Sequence, residues 1–295
     1  MPHPGVAISF KWVLPSATLA LEAATGSRVP CIDLHPYQAY HSGDVSSAGQ
    51  RWANSRPLPS HRADRRGRKE ALKIVDQTGY RRGRGYTLQG LADLLLSQDQ
   101  LEAAGKTAEE AQAIRRDLRE ENNLALSNMQ MAVIHLEQGR LTEPEPLVRA
   151  AIDTFERAKL IESGATAHAV LTRVLLAQGK VGDAQSAARR ALTLSRHLVY
   201  RPPRFDAALA SARVRAATGK SKDALQNLHA TVTEATKFGY LPYQFEARLA
   251  IGQIEMQSGK SSAGRPHLET LEKDARAKAY FLIARKAAAA AKVSR

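Results

Sequence analysis

A chain of 295 residues, 43% hydrophobic and 24% charged, can bury a sizeable core and has the composition of a soluble protein. Aromatic residues make up only 5% while Ala and Leu abound, which favours closely packed helices over a sheet. One cysteine, Cys31, excludes an internal disulfide and a multi-cysteine metal site and points to a reducing, cytoplasmic setting, while the formal charge of +14 raises the question of an anionic partner.

That charge is uneven: residues 1–50 carry −1, residues 51–90 carry +8 and residues 91–295 carry +7. The first 60 residues also hold seven of the thirteen prolines, both tryptophans (Trp12, Trp52) and the cysteine. Within them Val6–Ala24 is apolar, but Lys11, Pro15 and Glu22 interrupt it, so neither a signal segment nor a membrane span is expected. Residues 1–60 are therefore set apart, either as a disordered extension or as a non-native segment joined to the tail of a longer array. The second reading is favoured, because a hairpin cut at mid-unit exposes a helix face that a native cap would cover.

Residues 61–90 are expected to form a truncated half-repeat and a basic linker. Ala71 and Ile74 lie 40 residues before Ala111 and Ile114, so Arg66–Asp76 reads as the second helix of a hairpin whose first helix is missing. The basic runs Arg62–Lys69 and Arg81–Tyr86 flank it. Arginines separated by glycine, with Tyr86 available for stacking, make Arg81, Arg82, Arg84 and Tyr86 the candidate nucleic-acid contacts. The competing reading takes Arg81–Gly85 as a solvated linker.

From about Leu91 to the C-terminus a 40-residue period governs the chain. Gly139-Arg140, Gly179-Lys180, Gly219-Lys220 and Gly259-Lys260 are each 40 residues apart, with Asp99-Gln100 in the same register one period earlier. Five residues before each turn stands an aliphatic residue (Leu94, Ile134, Val174, Val214, Ile254), and five after it mostly a small one (Ala104, Pro144, Ala184, Ala224, Gly264). Phe205 and Phe245 share a phase, as do Tyr200, Tyr240 and Tyr280. Apolar residues at helical spacing flank the turns, for example Val170, Leu171, Val174 and Leu175, then Ala184, Ala187, Ala188 and Ala191. Each period thus reads as helix, glycine-basic turn, helix, linker, since glycine ends a helix in the left-handed conformation without a Cβ clash. Thr142-Glu143-Pro144-Glu145 predicts a capping box with proline in the first turn. Tyr280–Ala288 predicts a longer capping helix.

Such units bury their apolar faces only by stacking, which produces an extended concave surface. Over about Tyr86–Ala291 the pattern resembles the tetratricopeptide-repeat-like superfamily, in the long-period form found in the C-terminal part of bacterial signalling and regulatory proteins. The resemblance rests on Gly139, Gly179, Gly219 and Gly259, the small residue five on, and Ala151 and Ala191. It departs from the family in its longer period and in having Asn128, His168, Ala208 and Arg248 where the family has tryptophan. The expected fold is an all-α, right-handed α-solenoid of stacked helical hairpins, about four complete plus a half-unit and a terminal cap.

The same resemblance implies which positions line the concave groove: Asp93, Val133, Arg173, Arg213 and Gln253 at one phase, and Leu126, Thr166, Asp206 and Glu246 at another. Of these Arg173, Arg213, Gln253, Asp206 and Glu246 are the candidate partner-binding residues. Arg173 and Arg213 either form a clamp for a carboxylate or phosphate, or pair with Asp206 and Glu246 along the helix faces. No catalytic, cofactor or metal motif is present: the histidines scatter over repeat phases, and no phosphate loop or nucleophile elbow occurs. The expected function is a non-enzymatic protein–protein interaction scaffold of a bacterial signalling or regulatory protein, binding a protein or peptide in the groove, without cofactor or membrane association. The alternative is an RNA- or DNA-associated adaptor using residues 62–86. Whether a catalytic or DNA-binding domain belongs upstream is left open.

Overall fold

A computed structural model describes residues 61–292, so the expectations for residues 1–60 lie outside the described residues. Among the described residues, twelve α-helices follow one another without a strand. Helix α1 (His61–Thr78) is followed by five antiparallel hairpins. They are α2 (Arg81–Ser97) with α3 (Leu101–Asp117), α4 (Glu121–Glu137) with α5 (Pro144–Arg157), α6 (Ile161–Ala177) with α7 (Val181–Ser195), α8 (Pro202–Ala217) with α9 (Ser221–Lys237), and α10 (Leu241–Gln257) with α11 (Ser261–Ala277). Helix α12 (Phe281–Ala291) closes the array.

The turns fold as the register requires. Gly139, Gly179, Gly219 and Gly259 have φ between 75° and 79°, and the amide of the basic residue after each donates back five residues, as Arg140 does to the His135 carbonyl at 2.9 Å. That bond closes a Schellman motif and satisfies a carbonyl that the helix end would leave orphaned. Asp99 does the same with φ 61°. Five of the six other joints use an identical closure half a period away, at Gly79, Arg119, Lys159, Gly239 and Ala279, all with positive φ, and only the α7–α8 joint lacks it. Sequence reading missed these second turns because three of the five lack glycine.

The phased residues form the core. Leu94, Ile134, Val174, Val214 and Ile254 are buried, and Ala104, Ala184 and Ala224 are fully so, which lets the two helices of each hairpin approach closely. Leu228, Leu249, Leu268 and Leu271 are also fully buried, each contributing roughly 2 kcal/mol of apolar transfer. Aromatic pairs bridge neighbouring hairpins at one phase: Phe205 packs edge-on to Tyr240 at 5.4 Å, and Phe245 to Tyr280 at 5.3 Å.

Three expectations need correction. Arg81–Gly85 is the first turn of α2 and not a linker, so the array has five complete hairpins where about four were expected. Glycines 83, 85 and 90 argue against helix on propensity, yet packing overrides it: a Cβ on Gly85 would sit 3.0 Å from the Arg115 guanidinium carbon, so the small residue serves close approach. The capping box at Thr142 does not form; Pro144 does open α5, but Glu143 stands at the N-cap with no side-chain cap bond. The closing helix has 11 residues against 17 in α2, and so is shorter than its neighbours.

Candidate functional site

First helices of successive hairpins (α4 with α6, α6 with α8, α8 with α10, α10 with α12) approach one another, whereas no second helix makes a comparable approach to the next. First helices therefore line the inner, concave side. The curvature brings the end of the array back to its start. Arg285 on α12 donates to the Asp99 carboxylate at 2.6 Å, and the Lys286 ammonium lies 2.8 and 3.0 Å from the two Glu137 oxygens, pairs separated by 186 and 149 residues in sequence.

Four of the five candidate groove residues meet within this concave space. Arg173 on α6 donates to Glu137 on α4 at 2.9 Å, so Glu137 serves two cations at once. Arg213 on α8 donates to Glu246 on α10 at 2.7 Å, as one of the alternatives read from sequence has it, whereas Arg173 chooses Glu137 and not Asp206. Asp206 accepts from the Thr166 hydroxyl at 2.9 Å and from the Tyr243 hydroxyl. Gln253 on α10 is half-buried one phase away. Side chains of Arg173, Arg213 and Glu246 keep 20–25% of their surface exposed, so they stay partly open to water while protein atoms crowd them.

The electrostatics follow from that crowding. Burial alone would raise the Glu246 carboxyl, but Arg213, Lys286 and Arg173 outweigh it and bring it down to about 2. Burial pushes Asp206 up to about 6, against the lowering influence of the Thr166 and Tyr243 hydroxyls and the more distant Arg173. The difference is one of direct partners: Glu246 has an arginine, Asp206 has two hydroxyls.

Lys286, Arg285, Glu137, Asp99 and Tyr243 were not anticipated. Lys286 could have been found by carrying the ladder Leu126, Thr166, Asp206, Glu246 one more period of 40 residues. The others depend on how far the array curves, which no local pattern encodes. Leu126 and Val133, at groove phases, belong to the apolar core instead.

The basic segment is arranged differently. Arg81 pairs with Asp117 at 2.7 Å, Arg82 with Glu120, and Arg84 with both Asp76 and Glu110. Tyr86 lies 3.9 Å beneath the guanidinium of Arg115, and its hydroxyl accepts from Asn123 at 3.1 Å. Arg115 is itself fully buried and bonded to Glu120. Burial alone would raise Glu120, but its bonds to Arg115 and Asn123 and the nearby Arg82 hold it below the usual carboxylate range. Each of the three candidate arginines thus already faces a carboxylate.

Among the described residues no group of three or more His, Cys, Asp or Glu is placed to hold a metal ion, and no helix is long and apolar enough to cross a membrane.

Comparison with known proteins agrees with this architecture. No curated protein matches the sequence. Among solved structures, the apo form of RapI superposes with a TM-score of 0.56 at 16% identity, over 74% of this chain and 77% of that one. A kinesin light chain-like protein of Podosopora anserina with nearly identical TPR-like repeats gives 0.44 at 18% identity, over 65% and 94%. At 16% identity the likeness to RapI concerns the fold alone, an all-α stack of helical hairpins. The model of the MalT-like TPR region matches residues 37–282, running through the compositional break near residue 60. The chain belongs to the MalT-like TPR region family.

Proposed function

We propose that the chain is a non-catalytic protein–protein interaction scaffold whose concave groove binds a segment of a partner protein, as a module of a bacterial signalling or regulatory assembly. The observation that carries the reading is the ladder of charged side chains contributed by consecutive first helices. Glu137, Arg173, Asp206, Arg213, Glu246 and Lys286 converge from five helices, most of them partly open to water. Spacing such groups along a curved wall suits an extended segment that touches several hairpins.

Nucleic-acid association through residues 62–86 is less well supported, because Arg81, Arg82 and Arg84 would have to exchange carboxylates for phosphates. The two readings are separated by charge reversal. Short random peptides displayed on phage are selected against the full chain, and a single-stranded RNA is titrated alongside. Groove binding predicts that Arg173→Glu with Arg213→Glu abolishes peptide binding, while reversal of Arg81, Arg82 and Arg84 leaves it intact. RNA affinity that falls steeply with salt and vanishes on reversing Arg81, Arg82 and Arg84 would support the adaptor reading.

A further inference from the structure

The carboxylates around the groove do not all have the same company. Asp99 has Arg285, Glu137 has both Arg173 and Lys286, and Glu246 has Arg213, each within ion-pair distance. Asp206, between Thr166 on one neighbouring hairpin and Tyr243 on the other, has hydroxyl donors and no cation within that distance among the described residues. The hydroxyls hold the carboxylate in place without neutralising it. A partly buried carboxylate left in this state opposes folding, since burial disfavours the charged form, and an asparagine in its place could accept from one hydroxyl and donate its amide to the other. The charges acting on Asp206 from further off oppose one another, Arg173 favouring its ionised form and Glu246 disfavouring it, and Arg173 is itself engaged by Glu137.

We infer that Asp206 is the recognition carboxylate of the groove, taking a lysine ammonium, an arginine guanidinium or an N-terminal amine of the bound segment, with Thr166 and Tyr243 orienting it. The inference rests on the groove reading proposed above and specifies its ligand chemistry. A cation seated at Asp206 would compensate it as Arg213 compensates Glu246 and as Arg173 and Lys286 compensate Glu137. It would also discriminate against neutral segments, because leaving a desolvated carboxylate uncompensated under a bound ligand is costly. Tyr243 ties this site to the aromatic cluster with Phe205 and Tyr240, ring centroids 5.0 and 6.2 Å away, so its hydroxyl is carried on a ring fixed by packing.

The test uses peptides selected on the full chain whose binding is lost with Arg213→Glu. Their sequences should share a lysine or arginine at one position, or a required free N-terminus. Replacing that lysine or arginine by norleucine, or acetylating that terminus, should weaken binding at least about tenfold. Asp206→Asn should weaken the parent peptide to the same level and leave the neutralised peptide unaffected, with helical circular dichroism unchanged. Equal binding of parent and neutralised peptides, or undiminished binding to Asp206→Asn, would overturn the inference while leaving the groove reading in place. Failure to obtain any peptide sensitive to Arg213→Glu would overturn the groove reading and the inference with it.

Discussion

Replacing Asp206 by asparagine should make the protein more stable, and only above a defined pH. Burial raises this carboxyl from 3.8 to about 6, so between those values the folded chain holds a proton that the unfolded chain has released. For an acid raised in the folded state, stability is greatest below the unfolded value and declines as pH rises through the folded one. The rise corresponds to roughly 3 kcal/mol as a ceiling, and water in the open groove reduces this to about 1–2 kcal/mol. Asp206→Asn should thus exceed the parent by about that amount at pH 8 and match it near pH 4. Urea unfolding followed by circular dichroism across this range checks it. The readout must be the difference between variant and parent, because His135 and His168, held low by burial, work in the opposite direction: their contribution is lost as pH falls below 6.5. Glu246, lowered to about 2 chiefly by Arg213 once burial is overcome, contributes stability above 4.5 that is lost as pH drops from there toward 2, so it enters only at the acid edge of the window. A variant that is no more stable at pH 8, or equally stabilised at pH 4, would refute the account of Asp206.

Other consequences are as direct. Arg285→Glu should separate α12 from the first hairpin, seen as a longer label-to-label distance between them. The pair is partly exposed, 49% and 20%, so the stability change should stay under about 1 kcal/mol, and Asp99→Arg in the same chain should restore the distance. Lys159→Gly and Ala279→Gly should each stabilise by up to about 1 kcal/mol in thermal unfolding, because both residues hold φ near 60° where a Cβ is disfavoured. Gly179→Ala, at φ 75°, should cost about as much. Arg115→Ala should destabilise by about 3 kcal/mol in urea unfolding, since it removes a fully buried cation from Glu120 and a stacking partner from Tyr86.

The architecture was legible because a solenoid writes its geometry into a fixed period. A turn glycine, an aliphatic five residues before it and a small residue five after it recur wherever two helices must cross at the same distance, and the structure places them as the register predicts. Legibility failed where packing replaced pattern. Gly83, Gly85 and Gly90 look like linker residues, yet they form a helix whose close contact with its neighbours includes the buried Arg115. Arg119, Lys159 and Ala279 adopt a glycine conformation with no glycine to announce it. In the groove, side chains on the 40-residue ladder could be named from sequence, but their partners could not. Glu137 meets Lys286 only because curvature summed over four hairpins returns α12 to α4, a distance effect that spacing within one repeat does not contain.

The central claim, that the concave face does the binding, is tested most directly by photocrosslinking from defined positions. Benzoylphenylalanine is placed at Gln253 on α10, at the repeat phase of Arg173 and Arg213, and separately at Lys222 on the exposed outer helix α9, and each chain is irradiated with a selected peptide. The account predicts a crosslinked adduct from Gln253 and none from Lys222. Adducts from Lys222 with none from Gln253 would contradict it.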